Sequence, residues 1–176
     1  FRVELEFDRA QAENSSYIKN AEPSFSLSSG KRAFSGCCFL VAEDNAINAE
    51  ILCELLGLCG AETVLMTDGA KAVKAFQDTE PETYDAILMD IQMPKMNGYD
   101  AARAIRGMER EDAEEIPIIA MTANAFNEDV QNAFQAGMNA HIAKPIDLNV
   151  LMNTLQKVLD ESGKELETSG EQKRRK

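Results

Sequence analysis

Several features typical of membrane, secreted or nucleic-acid-binding proteins are missing from this sequence of 176 residues. No apolar run approaches the roughly 20 residues that a membrane-spanning helix requires, and no secretory signal opens the chain. Lys and Arg number 18 against 30 Asp and Glu, so the net charge of −12 disfavours a nucleic-acid-binding surface. We predict a cytoplasmic protein that contacts neither nucleic acid nor membrane through this segment.

Motifs for zinc, thiol redox chemistry and nucleotide binding are also missing. The four cysteines include no C-x-x-C pair and lie among apolar residues, so we interpret them as reduced, buried and small hydrophobic side chains. Neither the P-loop motif nor the Rossmann glycine motif is present. The first residue is Phe1 rather than Met, and we therefore expect a fragment of a longer chain or a processed one.

Composition divides the chain into three parts. Residues 1–7 alternate as a strand does and a polar stretch rich in Ser, Asn and Glu follows, so residues 1–35 are predicted to be a strand remnant and a linker. Residues 36–160 have the apolar periodicity of one folded domain. Residues 161–176 lose that periodicity and end in a basic run, which predicts a charged tail.

Short apolar runs alternate with amphipathic segments between residues 36 and 160. Five strands are predicted at residues 37–42, 63–66, 86–89, 116–121 and 140–143. Helical spacing, such as that of Ile47, Ile51, Leu55 and Leu58, predicts five helices; the later ones cover residues 70–77, 99–105, 127–136 and 148–159. Strict alternation of strand and helix is typical of a doubly wound α/β domain, in which helices cover both faces of a parallel sheet.

Polar side chains stand at the carboxyl ends of four predicted strands. Because ligands of open α/β sheets bind beyond these ends, we expect the side chains to meet at one edge of the sheet. After the second strand, Thr67 and Asp68 have no evident partner in this set. The set comprises Glu43, Asp44 and Asn45 after the first strand, Asp90 after the third, Thr122 after the fourth, and Lys144 with Pro145 after the fifth.

The chemistry of this set points to a cation and a phosphoryl group. Clustered carboxylates repel one another, and an oxygen-rich site with room for water suits Mg²⁺. Lys144 adds a fixed positive charge and Thr122 a small donor. Together they can hold a phosphoryl group on Asp90, because phosphoryl transfer depends mainly on alignment and charge stabilisation.

Each of these residues also has an ordinary explanation when taken alone. Asp44 or Asn45 can cap the following helix, Thr122 can be a turn hydroxyl, and Lys144 can belong to a plain loop. Asp90 is more informative, because a carboxylate that closes an apolar strand is costly to bury unless it is used or paired. The joint placement at the correct strand ends favours a functional site.

Four segments carry a resemblance to a known family: AEDNAINAEIL, MDIQMPKMNGYD, IIAMTANA and GMNAHIAKPI. They resemble the receiver domain of response regulators, and most closely the receiver attached to hybrid sensor histidine kinases. The resemblance covers residues 36–159 and implies a flavodoxin-like, five-stranded parallel sheet in the order 2-1-3-4-5 with five helices. Residues 1–7 would then be the last strand of an upstream kinase ATP-binding domain.

The resemblance implies a role for each matching residue. Asp90 would be the phosphoacceptor, and Thr122 and Lys144 would contact the phosphoryl oxygens. Metal binding would involve Asp44 directly, Glu43 through water, Asp90, and the backbone carbonyl of Gln92. Two positions, Gln92 and Asn124, would tune the rate of dephosphorylation. His141 stands where the family usually has a switching aromatic residue, and it would form the switch with Thr122. The bond between Lys144 and Pro145 would be cis.

The resemblance also implies partners. The phosphoryl donor would be a phosphohistidine on a histidine kinase or phosphotransfer domain, and the fourth helix, fifth strand and fifth helix would bind a downstream protein. Beyond self-dephosphorylation, no enzymatic turnover is expected of this chain. Two alternatives stay open: a phosphate-sink module without its own output, and a Mg²⁺-dependent phosphatase with an aspartyl intermediate. The D-x-D signature of such phosphatases is absent, because Ile91 and Gln92 follow Asp90.

Overall fold

The structure is a computed structural model that describes residues 33–123 and 127–163. The predicted strand at residues 1–7, most of the linker, Asn124 and most of the charged tail lie outside these ranges. The strands are β1 (Cys38–Ala42), β2 (Glu62–Met66), β3 (Ala86–Asp90), β4 (Ile118–Thr122) and β5 (Ala140–Ala143). The helices are α1 (Ala46–Leu58), α2 (Gly69–Asp78), α3 (Gly98–Arg106), α4 (Asn127–Gln135) and α5 (Leu148–Glu161).

All strands pair in parallel, in the order β2-β1-β3-β4-β5. Every residue of β3 and β4 is buried, as continuous apolar runs covered on both faces require. The register sets Leu40 opposite Ile87 and Met89 opposite Ala120. The predicted fold class and strand order are therefore confirmed, and Asp90 lies at the carboxyl end of the central strand.

Helices cover the two faces of the sheet with separate apolar layers. On one face, Phe76 of α2 and Ile105 of α3 pack with strand residues such as Ile87. On the other face, Leu52 of α1 and Leu151 of α5 pack with residues such as Leu88. Neighbouring residues of one strand enter opposite layers, so both faces of the central strands stabilise the fold by apolar burial.

Strand β4 begins and ends later than the apolar run predicted. It starts at Ile118 rather than at residue 116, and it includes Thr122 as its last residue. Ahead of it, Pro117 has no amide hydrogen to donate, although its carbonyl accepts from Ile87 N at 2.8 Å. The Ile118 amide donates to Oδ1 of Asn139 at 2.9 Å. The first amide of β4 therefore donates to a side-chain oxygen instead of a strand carbonyl.

Helix α1 is where predicted, but its buried face is not the one that the spacing indicated. Of the residues that predicted the helix, Ile47 is 68% exposed, Ile51 51% and Leu58 76%. The buried positions of α1 are Ala49, Leu52 and Leu56. Apolar residues occur on both sides of this helix, so periodicity alone does not identify the face that packs on the sheet. Ile47 and Ile51 form an exposed apolar strip, called the α1 strip below.

The cysteines are less deeply buried than their apolar neighbours in sequence indicated. Only Cys37 is buried, and the other three are half-buried. Cys59 follows the end of α1 and donates its thiol to Sδ of Met152 at 3.1 Å. Burial raises the pKa of the Cys59 thiol above its ordinary value of 9.0, which favours the protonated form.

At the opposite end of the sheet from Asp90, the half-buried Arg106 connects two loops. Its Nε donates to Gly137 O at 2.9 Å, its Nη1 to Ala113 O at 2.7 Å, and its Nη2 to both Ile116 O and Asn139 Oδ1 at 2.8 Å. Gly137 has φ +89°, and a Cβ there would lie 2.8 Å from Cγ of Arg106. The guanidinium thus joins the end of α3 to the α4–β5 turn.

Candidate functional site

Asp90 is the last residue of β3 and is 5% exposed. Its Oδ1 accepts a hydrogen bond from Gln92 N at 3.2 Å. The backbone just after it is fixed on both sides, because Ile91 N donates to Met121 O and Ile91 O accepts from Gly98 N, each at 3.0 Å. The carboxylate is therefore held at the carboxyl edge of the sheet, close beneath the surface.

Lys144 reaches this carboxylate from the end of β5. The peptide bond between Lys144 and Pro145 is cis, and Lys144 N donates to Thr122 O at 2.8 Å. The ammonium lies 2.7 Å from Oδ2 of Asp90 and 2.6 Å from Oε2 of Glu43. Side chains that follow β1, β3 and β5 thus meet in one ion-pair network, as the topology predicted.

Glu43 and its neighbours connect this network to α1. Glu43 is only 1% exposed, and its Oε1 accepts from Asn45 N at 3.3 Å and from Asn48 Nδ2 at 3.2 Å. The Asn45 side chain caps α1 by accepting from Ile47 N and Asn48 N. The capping role therefore belongs to Asn45. Asp44 is exposed, next to the buried Glu43.

The carboxylate oxygens of this edge are close enough to share one metal ion. One oxygen each from Glu43, Asp44 and Asp90 lie within 4.8 Å of one another. Hard oxygen donors with one exposed member and access to solvent match the preference of Mg²⁺, which keeps several waters when it binds proteins. The donor set therefore fits Mg²⁺.

Charge and burial oppose each other in the network. Burial raises the pKa of Asp90 above its ordinary value of 3.8, and the hydrogen bond from Lys144 acts against this rise. For Lys144, burial alone would lower the pKa, but hydrogen bonds to Asp90 and Glu43 outweigh it and the pKa is raised. Lys144 is accordingly charged at neutral pH. The site holds three carboxylates, of which the ammonium contacts two, so it attracts further positive charge.

The predicted switch residues lie beside this network. Thr122 is 5% exposed at the end of β4, and β5 pairs with it so that Ala143 lies opposite Thr122 and His141 opposite Ala120. His141 is half-buried and lines an open groove of about 360 Å³ between α4 and α5. Phe134, which is 51% exposed, and Lys157 line the same groove.

A second, smaller groove of about 130 Å³ adjoins the network at the base of the α1 strip. Asn48 and Ile51 form one side, and the segment from Lys144 through Pro145 to Ile146 forms the other. An apolar surface therefore leads from α1 directly to the ammonium that contacts Asp90.

One buried carboxylate received no role from the sequence. Asp68 is 2% exposed, and its Oδ2 lies 2.7 Å from Nζ of Lys95. The hydrogen bond from Lys95 lowers the pKa of Asp68 below its ordinary value of 3.8. Asp68 caps α2, because its Oδ1 accepts from Lys71 N at 2.9 Å, and an Asp before the glycine that starts a helix is a sequence signal that could have indicated this. The pairing with Lys95 has no comparable signal in sequence.

Within the described residues, no helix combines the length and the apolar character needed to cross a membrane.

The family model described as the response regulator receiver domain matches residues 39–156, which is well over half of the chain. This chain belongs to the response regulator receiver family. The network of Glu43, Asp90 and Lys144 thus lies at the carboxyl edge of a receiver fold.

Curated relatives of this receiver are much longer proteins. It is 43% identical over 108 residues to hybrid signal transduction histidine kinase L of Dictyostelium discoideum, covering 61% of this chain and 6% of that protein. It is 39% identical over 127 residues to probable histidine kinase 2 of Oryza sativa subsp. indica, covering 66% of this chain and 12% of that protein. The receiver therefore corresponds to a small part of each relative.

Solved receivers share its fold. The receiver domain of a sensor histidine kinase from Pseudomonas aeruginosa PAO1, solved with a magnesium ion coordinated in its active-site cleft, is 39% identical with a TM-score of 0.65. The match covers 72% of this chain and 99% of that one. A co-crystal of the Saccharomyces cerevisiae phosphotransfer protein Ypd1 with the receiver of Ssk1 matches at 26% identity, a TM-score of 0.66, and 77% and 97% coverage.

Proposed function

We propose that this receiver accepts a phosphoryl group on Asp90, in a Mg²⁺-dependent step of a two-component phosphorelay. The observation that carries the proposal is the placement of Asp90, a buried carboxylate that closes the central strand, within 2.7 Å of the Lys144 ammonium and beside two further carboxylates. Lys144 pairs with Asp90, but three clustered carboxylates outnumber this one cation, which favours a bound divalent metal. The magnesium ion in the related Pseudomonas receiver supports the choice of metal for this site.

Each residue of the site has a proposed role. Asp44 and Asp90 bind Mg²⁺ directly, Glu43 binds it through water, and the backbone carbonyl of Gln92 completes the protein ligands. When bound, Mg²⁺ neutralises charge on the oxygens of the transferred phosphoryl group. Lys144 and Thr122 contact the same oxygens from the β4–β5 side. Gln92 and Asn124 set the rate at which water removes the phosphoryl group.

The transfer step forms one covalent bond to the protein, between Asp90 and phosphorus, and otherwise depends on alignment and charge stabilisation. One carboxylate oxygen of Asp90 attacks the phosphorus of a phosphohistidine as the P–N bond breaks, and the bonding electron pair stays on the imidazole nitrogen. Asp90 becomes an aspartyl phosphate, and the donor histidine is left neutral after proton exchange with solvent. Lys144 keeps its proton throughout and supplies positive charge in a partly dry site.

The α1 strip and its adjoining groove are the proposed docking surface for the donor. Ile47 and Ile51 are large, apolar and exposed, and the groove beside Ile51 leads to Lys144. A helix that carries the phosphohistidine can cover the strip and bring its imidazole over Asp90. The yeast co-crystal of a histidine phosphotransfer protein with a receiver supports a donor of this class.

The proposed output surface is the α4–β5–α5 face. New charge on Asp90 draws Thr122 and Lys144 towards it; Thr122 is the last residue of β4, and Lys144 directly follows β5. His141 lies on β5 between the site and the groove lined by Phe134. A phosphoryl group that contacts Thr122 and Lys144 better in one conformation shifts the population towards it, and with it the affinity of this face for a downstream protein.

The parent protein is proposed to be a hybrid histidine kinase, as are relatives of this receiver. In that context residues 1–35 are a kinase strand remnant and linker, residues 36–160 are the receiver, and residues 161–176 are a charged tail. We expect the receiver to work in the cytoplasm and to be phosphorylated once per cycle, without turnover of a small substrate.

Intact-mass spectrometry after incubation with acetyl phosphate tests the proposal. The native chain should gain one phosphoryl adduct with Mg²⁺ and none with EDTA, and Asp90→Asn should gain none. A phosphorylated histidine phosphotransfer domain should give the same adduct. Asp44→Asn is the matched variant for metal binding, because Asp44 is exposed and an Asn side chain there should leave the fold intact. This variant should need a higher Mg²⁺ concentration to be phosphorylated.

Three results would contradict the proposal. Equal labelling of Asp90→Asn places the acceptor elsewhere. Full labelling in EDTA removes the metal from the mechanism. Release of phosphate from a small ester over many cycles, beyond one equivalent per chain, identifies a phosphatase with an aspartyl intermediate instead.

A further inference from the structure

The β3–α3 loop (residues 91–97) begins in close contact with α3. This loop follows Asp90 and carries Gln92. Gly98 N donates to Ile91 O at 3.0 Å, and a Cβ on Gly98 would lie 2.4 Å from Asp90 O. Ile91 and Met93 are buried. The first half of the loop is therefore held by backbone contact and apolar packing.

The second half of the loop contacts the start of α2. A Cβ on Gly69 would lie 2.5 Å from the backbone oxygen of Met96, so the two backbones touch there. Lys95 has φ +65°, a left-handed conformation that residues with a side chain rarely adopt. Such a conformation persists where the surroundings hold it in place.

Asp68 supplies the contact that holds Lys95. Its two oxygens have separate partners: Oδ1 accepts from Lys71 N at 2.9 Å as the cap of α2, and Oδ2 lies 2.7 Å from Nζ of Lys95. Asp68 is 2% exposed, whereas the Lys95 side chain is 67% exposed. A second lysine, Lys71, lies farther off at 3.7 Å and donates instead to Oγ1 of Thr67 at 2.7 Å.

We propose that Asp68 and Lys95 are a positioning pair that holds the β3–α3 loop, and with it Gln92, in the conformation that binds Mg²⁺. This inference rests on the proposed function of the site. Mg²⁺ demands near-ideal octahedral geometry, so a ligand in a loop must be ordered before it contributes fully. Without the pair the loop populates the binding conformation for less of the time, and apparent affinity falls by that fraction.

Two substitutions remove the pair and leave the cap of α2 in place. Asp68→Asn keeps a side-chain oxygen for Lys71 N, because Asn is as good a helix cap as Asp, but loses the charge that holds Lys95. Lys95→Gln removes the ammonium from the other side. Lys71→Gln is the matched control. It removes an exposed lysine whose ammonium lies 3.7 Å from Asp68, farther than the ammonium of Lys95.

The test measures the binding of Mg²⁺ alone to the full chain by isothermal titration calorimetry. We expect Asp68→Asn and Lys95→Gln each to raise the dissociation constant for Mg²⁺ by about two- to fivefold, as one partly exposed ion pair permits. The double variant should have a dissociation constant for Mg²⁺ no higher than that of the weaker-binding single variant, because both substitutions remove the same interaction. Lys71→Gln should bind Mg²⁺ as the native chain does.

Hydrogen exchange of the metal-free protein gives a second readout. Peptides that cover residues 91–98 should exchange faster than in the native chain in both Asp68→Asn and Lys95→Gln. In Lys71→Gln they should exchange at the native rate. In phosphorylation by acetyl phosphate, half-saturating Mg²⁺ should rise by the same factor while the rate at saturating Mg²⁺ stays constant.

Native Mg²⁺ affinity and native exchange of residues 91–98 in both variants would overturn the positioning role, even if Tm fell. An exchange increase confined to α2 would also overturn it, because it would show a lost cap. If the native chain took no phosphoryl group, the proposed function would fail, and the calorimetry and exchange would still decide whether the pair orders the loop.

Discussion

The ammonium of Lys144 lies 2.7 Å from Oδ2 of Asp90. The two residues are far apart in sequence, and they meet because β3 and β5 are parallel strands that end at the same edge. Lys144 also contacts Glu43 at 2.6 Å, so one cation balances two buried carboxylates. Changes to this lysine should therefore affect stability, metal binding and phosphorylation in different directions.

Lys144→Met tests this separation by replacing the ammonium with an apolar chain of similar length. Without the cation, Tm in EDTA should fall and Mg²⁺ should raise Tm more than in the native chain, because the carboxylates repel without compensation. The rate of phosphorylation at saturating Mg²⁺ should fall about 10²-fold, as for loss of one group that stabilises developing charge. Lys157→Met is the control, since Lys157 is 74% exposed. A native rate in Lys144→Met would exclude this lysine from the transfer step.

Ile51→Ala tests the α1 strip as the donor-docking surface. Ile51 is 51% exposed, so the substitution should leave Tm nearly unchanged. Phosphorylation by a phosphotransfer domain should slow about fivefold or more, as for a residue that contributes over 1 kcal/mol to an interface, while acetyl phosphate should react at the native rate. Leu65→Ala on β2, where Leu65 is 41% exposed, is the control. Equal slowing with both donors would indicate a damaged site.

Gly98→Ala tests the close contact beneath Asp90. The added Cβ would lie 2.4 Å from Asp90 O and 3.0 Å from Ile91 Cα, both backbone atoms. The backbone must shift, so we expect a loss of about 1–3 kcal/mol in the free energy of unfolding, as in overpacked cores. Gly57→Ala is the matched control in α1, where an added Cβ would meet no described atom within 4 Å beyond its own helix backbone, and it should stabilise by about 0.5–1 kcal/mol. Chemical denaturation measures both, and equal stability of the two variants would contradict the predicted clash.

Asp112→Asn tests a pH-dependent contribution to stability. Arg110 lies 2.5 Å from Asp112, and this hydrogen bond lowers the pKa of Asp112 below its ordinary value of 3.8. A lowered pKa contributes stability that is present above pH 3.8 and is lost as pH falls through the folded-state pKa. The variant should melt a few degrees lower than the native chain near neutral pH, and the difference should shrink on acidification. A difference in Tm that stays constant across pH would contradict this prediction. So would an equal loss of Tm in Glu111→Gln, which changes an exposed neighbour.

The fold and the composition of the site were predictable because both depend on short-range pattern. Apolar runs of strand length alternate with helical segments, and parallel strands bring Glu43, Asp90 and Lys144 to one edge whatever the details of packing. The cis bond before Pro145, implied by the family resemblance, is also present. The functional roles of these residues remain predictions.

Features that depend on side-chain reach or loop geometry were not predictable. Apolar residues of α1 occur on both sides of the helix, so their spacing did not identify the face that is buried. The first amide of β4 donates to the side chain of Asn139, which is distant in sequence. Lys95, which pairs with Asp68, lies in a loop and has a left-handed backbone conformation that the sequence does not indicate. Asp112 stands among charged residues in the sequence, yet it is half-buried and pairs with Arg110.

The contacts of Arg106 limit how this receiver can be divided. Its acceptors lie up to 33 residues later in the chain, in the segment before β4 and in the turn before β5. Burial lowers the pKa of this guanidinium, yet none of its acceptors among the described residues is a carboxylate. A fragment that ends after α3 would keep the cation and lose all of its acceptors, so a split reporter cut at that junction should require both halves to associate before either one folds.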